Sequence, residues 1–179
     1  MSSANQSVGR PKGDEDQGRS CWCGKFSLRA GTIVAYALAV SRKSARIAPL
    51  IEQYRGRELD AHYLGYFEYF NRGMFYEAHD VLEQLWLSDR HGPNGAFYKG
   101  LIQFAGAFVH LQKDRLRPSA ALFKLARANF RRYPAIHERL DMSNLVLMIE
   151  DWLTRLEKSD YSRNPLTPET SPRLVLCSD

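Results

Sequence analysis

Apolar residues spaced three and four apart recur along this chain from about residue 58 to residue 158. That spacing puts side chains on one side of an α-helix. Phe75, Ala78, Leu82 and Leu85 follow it over 75–88 and define one helix. Before it, Glu58–Asn71 carries Leu64, Phe67 and Phe70 on its inward side, with Tyr63 and Tyr66 beside them, and Gly73 breaks it. The third segment, Ala96–Lys113, is apolar nearly all round, the mark of a helix central in its domain. Its Gly100 and Gly106 would each cost about 1 kcal/mol in a helix interior, an expense that close approach of a neighbour can offset.

The fourth helix starts at Pro118, well placed in a first turn, and runs to Arg132, where Tyr133-Pro134 stops it. Its inward set reads as Ala121, Leu122, Leu125 and Ala126, with Ala120 and Phe130 alongside. The fifth covers Ser143–Lys158, with Leu145, Met148, Ile149, Trp152 and Leu156 as its stripe and Ser143 as its expected N-cap. A weaker helix is expected near Ser44–Gln53. No run alternates apolar and polar residues between hairpin turns, so no sheet is expected. The connections are mostly short, which turns successive helices antiparallel. The expected fold class is therefore all-α, a compact bundle of about five to six antiparallel helices.

That bundle occupies residues 44–158. Residues 1–43 read as a poorly ordered extension, the first part rich in Ser, Gly and charge. Residues 159–179, with Pro165, Pro168 and Pro172, read as a flexible tail. The apolar stretch Ala30–Val40 is 11 residues long, against the roughly 20 needed to span a bilayer. It has the length of a signal-peptide core, but 29 residues precede it, three of them acidic, so no signal is expected. A start annotated upstream of the true one would produce the same extension, so whether residues 1–43 belong to the mature protein stays open.

Charge changes the picture little. The formal net charge is +5, from 25 Lys and Arg against 20 Asp and Glu; residues 1–43 hold seven of the basic and three of the acidic residues, leaving +1 for the rest. So balanced a domain gives no global case for nucleic acid. Lys124, Arg127 and Arg131 form a basic stripe on the fourth helix, which is a wet surface in the ordinary case and an RNA- or phosphate-binding face in the alternative. Cysteine is sparse, and Cys21-Trp22-Cys23 has no second pair to complete a zinc site. Reduced, incidental cysteines suit a cytoplasmic protein.

The stretch with most chemistry is Phe70–Trp86. His79 and Glu83 lie four apart, one turn apart on the same side of the helix, and Trp86 continues that line. Glu77 and Asp80 fall on other faces and are expected in solvent or near the helix N-terminus, where negative charge is favourable. On the third helix Gln103, Gly106 and His110 share a face at spacings of three and four. If the two lines meet, His79, Glu83, Gln103 and His110 make one partly buried polar cluster. Three uses are open to it: a structural hydrogen-bond network, a pocket in which Glu83 raises the pKa of His79 for acid–base work, or a metal site of His79, Glu83 and His110. The His-x-x-x-Glu pair alone is a weak metal signal, because the second Glu-x-x-His motif of a di-iron bundle is missing.

Asn71-Arg72-Gly73, followed by Glu77-Ala78-His79-Asp80-Val81-Leu82-Glu83 and Trp86, resembles the signature of the DUF309 family, a His-x-x-x-Glu-x-x-Trp motif after an Asn-x-Gly turn. Lys99–Gln103 and the Ala-rich fourth helix extend the resemblance over residues 58–135. Asp80 stands where the family often has Glu. The resemblance implies a compact all-α bundle and marks Asn71, His79, Glu83 and Trp86 as motif residues. It implies no reaction, since the function of the family is unknown. The sequence thus supports a binding or scaffold module first, with a hydrolase or metal-dependent enzyme using His79 and Glu83 second, and a nucleic-acid or phosphate binder third. Cofactor and partner identity stay open, a homodimer included.

Overall fold

The computed structural model describes residues 47–177. The stretches discussed above at 1–43, including Cys21, Cys23 and Ala30–Val40, lie outside the described residues, as does the start of the expected helix at Ser44–Gln53. That helix is seen at 47–51 and tightens into a 3-10 turn at Glu52–Tyr54. Five longer helices follow: α1 (Ala61–Asn71), α2 (Phe75–Asp89), α3 (Gly95–Gln112), α4 (Leu116–Phe130) and α5 (Met142–Lys158). The protein is an all-α helical bundle, as its periodicity indicates. None of the described helices is long and apolar enough to cross a membrane.

Local chemistry sets the helix ends. The Asp60 carboxylate accepts from the amides of His62 and Tyr63 and caps α1. At the other end Gly73 takes φ +74°, its N–H donating to the Phe70 carbonyl while Met74 N–H donates to that of Tyr69. This Schellman closure needs a left-handed residue, which glycine supplies without strain, and it turns the chain straight into α2. The N-cap of α5 is Asp141, which accepts from Asn144 N–H at 2.9 Å, and not Ser143 as expected.

Contacts along the helices fix their directions. Gly65 of α1 faces Val81 of α2, while Phe70 and Phe75 pack ring to ring at their junction. Gly100 of α3 faces Phe130 of α4, and Gly106 faces Leu122. Lys124 and Arg131 of α4 meet Glu157 and Glu150 of α5. Each pairing runs antiparallel. Helix α3 lies between α2 and α4, which accounts for its nearly all-apolar surface. Phe108 is the hub of the core, with ring centroids 5.1 Å from Phe104, 5.1 Å from Phe123 and 5.0 Å from Trp152. Such edge-to-face pairs add about 0.5–1.5 kcal/mol each beyond area burial. The hydroxyl of the fully buried Tyr66 donates to the Leu101 carbonyl at 2.9 Å, joining α1 to α3, and burial holds its pKa well above the usual value.

Three expectations need correction. The buried set of α4 is Leu116, Ser119, Ala120, Phe123, Ala126 and Phe130, whereas Ala121 and Leu125 are exposed. The buried stripe lies one position round the helix from the expected one, because small alanines mark either side equally well. A sheet is present: β1 (Ile136–His137) pairs antiparallel with β2 (Leu140–Asp141) around Glu138 and Arg139, both at positive φ. Two-residue strands are too short to show alternation. Finally, residues 159–177 are laid against the bundle. Leu174 is buried, Leu176 bridges to Leu140, Cys177 N–H donates to the Arg139 carbonyl, and Asn164 donates to the Leu111 carbonyl.

Candidate functional site

Helix α2 is flanked by α3 on one side and by α1 with the 47–54 segment on another. Val81 and Ile51 both meet at Gly65, and the Cδ2 edge of the His79 ring lies 3.9 Å from where a Cβ on Gly106 would be. The buried arc of α2 is consequently wider than a single stripe. It takes in Asp80, which is only 3% exposed and so corrects the expectation that this carboxylate is solvated.

Asp80 and its neighbours form the tightest group of potential donors on the described surface. His79 Nδ1 and Asp80 Oδ1 are 3.3 Å apart. One donor atom from each of His79, Asp80 and Glu83 lies within 4.8 Å of the other two. The His79 side chain is 21% exposed and Glu83 is half-buried, so the group opens to solvent on one side while its middle carboxylate is covered. A buried carboxylate is costly unless partnered, and the adjacent imidazole supplies one partner. Trp86, one turn beyond Glu83, is half-buried against the rim of the core.

The second line is divided between neighbours. Gly106 sits between α2 and α4, with Leu122 on one side of it and His79 on the other. Gln103, one turn earlier, reaches toward α4, where its Oε1 accepts from Asn129 Nδ2 at 2.8 Å. Gln103 therefore belongs to the α3–α4 seam. His110, near the end of α3, is partly buried, and its pKa is lowered by burial first and by Arg115 and Lys113 second.

Asn71 has another task. Its Nδ2 donates to the Leu174 carbonyl at 2.8 Å and its Oδ1 accepts from Leu174 N–H at 2.7 Å. This two-way bond treats the side chain as a strand edge and clamps the C-terminal segment to the end of α1. The basic stripe is paired: Lys124 with Glu157 at 3.1 Å, Arg127 with Glu150 at 3.6 Å, and Arg131 with Glu150 at 2.9 Å. Phe123 and Phe130, which flank that stripe in sequence, are buried in the core. Two surface grooves lie away from His79. One, of about 280 Å³, is lined by Arg57, Glu58, Leu59, Leu64, Arg139 and Leu176; the other, of about 440 Å³, runs between α4 and α5 over the paired charges.

The residue that sequence reasoning missed at this site is Asp80. Its signals are that it adjoins His79 in the chain and stands where the family often has Glu, but adjacent residues on a helix point about 100° apart, so spacing assigns it to a different face. Residues 63–122 match the model of DUF309, a domain of unknown function. The match runs from α1 into α4, includes the whole of α2 and α3, and supports the family resemblance. No curated protein and no solved structure matches the chain.

Proposed function

We propose, taking residues 63–122 as a DUF309 domain, that this protein is a small helical binding or scaffold module in which His79, Asp80 and Glu83, with Trp86, help hold α2 in place against its neighbours. The observation that carries this reading is the covered Asp80 carboxylate, 3.3 Å from the His79 imidazole on a helix whose ring edge abuts Gly106 of α3. A buried charge beside a titratable partner is worth more when made than when left half-made. Nucleic acid is not the partner on this reading, since Lys124, Arg127 and Arg131 are engaged by Glu157 and Glu150. The reading assigns the protein to the cytoplasm, which sparse cysteines suit. A homodimer would be its simplest assembly.

The test is urea denaturation in EDTA of His79→Ala and Glu83→Ala. Each should lose about 1–3 kcal/mol, the cost of unpairing a part-buried polar group. Wild-type stability in both variants would remove the fastening role.

A further inference from the structure

We propose that His79, Asp80 and Glu83 form a binding site for a divalent transition-metal ion on the open edge of α2. The proposal goes beyond the fastening role and does not require it. Three donors of the right chemical kinds converge here: an imidazole nitrogen and two carboxylate oxygens, all within 4.8 Å of one another. Zinc bonds to such nitrogen and oxygen donors are about 2.0–2.2 Å long, which in a tetrahedral site separates neighbouring ligand atoms by roughly 3.3–3.6 Å. His79 Nδ1 and Asp80 Oδ1 already stand at 3.3 Å. Glu83, one turn along, has the longest side chain of the three and needs only torsional adjustment to close the third edge.

The surroundings favour a cation as well. Asp80 is covered, so an interaction of its carboxylate with a cation is only weakly screened by water. His79 and Glu83 are only partly covered, which leaves an entry path and an open coordination position for water or a small anionic ligand. Imidazole in the set selects zinc, cobalt, nickel or iron(II) over magnesium and calcium, which favour all-oxygen cages. With the ion on Nδ1, the neutral imidazole carries its proton on Nε2.

The experiment is titration of the EDTA-treated, buffer-exchanged full chain with zinc chloride at neutral pH by isothermal calorimetry, with magnesium chloride as a parallel arm. The expected result is one zinc ion per chain, no comparable magnesium binding, and at least tenfold weaker zinc binding in both His79→Ala and Glu83→Gln. Asp80→Asn is kept for denaturation, where lost stability is itself the readout, because at a covered position it would confound a titration. Circular dichroism of the two variants verifies that they are helical before titration. Should either lose its helices, His79→Gln or Glu83→Ala, confirmed helical in the same way, takes its place. No zinc uptake by the wild type overturns the proposal. So does uptake that both variants retain undiminished, since the ion would then be held elsewhere, for instance by Cys21 and Cys23. Denaturation in EDTA reports on fastening without metal, so a failed titration leaves that reading standing.

Discussion

Helix α3 separates two polar features of opposite construction. On its α4 side, Gln103 and Asn129 form one neutral amide pair across two helices at 2.8 Å, next to a glycine that admits a phenylalanine ring. On its α2 side, His79, Asp80 and Glu83 are all titratable and all come from one turn of one helix. A pair that crosses a seam fixes the register of two helices, because neither partner is satisfied if they slide. A cluster carried by a single turn keeps its internal geometry however the helices shift, and aims several donors at one point. The first construction fixes register alone. The second adds a chemical group to the contact that the His79 ring edge makes with α3.

The largest effect that sharpens this contrast lies in the α3–α4 seam. A Cβ at Gly100 would sit 2.5 Å from Cε1 of the buried Phe130, so Gly100→Ala should cost about 1–3 kcal/mol in urea denaturation. At Gly106 the nearest atom is Leu122 Cδ1 at 3.3 Å, the end of a mobile side chain. There the helix-propensity gain of about 1 kcal/mol should offset the crowding, leaving Gly106→Ala near neutral. Equal losses at both glycines would mean that Phe130 yields as readily as Leu122.

Next in size is the cross-seam amide pair. Asn129→Ala should lower stability by about 1 kcal/mol and leave zinc binding unchanged, whereas the α2 variants change both. The pH dependence is subtler. Burial and nearby positive charges lower the His110 pKa in the folded state, so the unfolded chain takes up the proton more readily. That stability is fully present above the ordinary histidine value near 6.5 and is lost as pH falls through the lowered folded pKa. Melting curves of His110→Gln should be flatter between pH 7 and 5 than those of the wild type. The smallest effect belongs to Glu150→Gln, which releases exposed ion pairs and should change stability by less than about 1 kcal/mol.

Helix positions and the central place of α3 were legible in the sequence because burial repeats every three to four residues over eleven or more positions. The stripe of α4 was less so, since Ala121 and Ala126 carry little hydrophobic contrast and only packing decides which is covered. His79 and Glu83 were found by their spacing, with Trp86 a turn further on. Asp80 was not, because its burial comes from elements far along the chain meeting around α2. The hairpin at 136–141 and the Asn71–Leu174 clamp are likewise long-range: the clamp joins residues 103 positions apart, and no local pattern announces it.

A double-mutant cycle between His79→Ala and Asp80→Asn, read by urea denaturation in EDTA, isolates the interaction at the centre of the α2 cluster. If the two side chains act as a unit, the losses in the single variants should exceed their share of the double by a coupling of about 1 kcal/mol. Additive losses, with no coupling outside error, would mean that the 3.3 Å approach carries no energy and that the cluster is an accident of helical spacing.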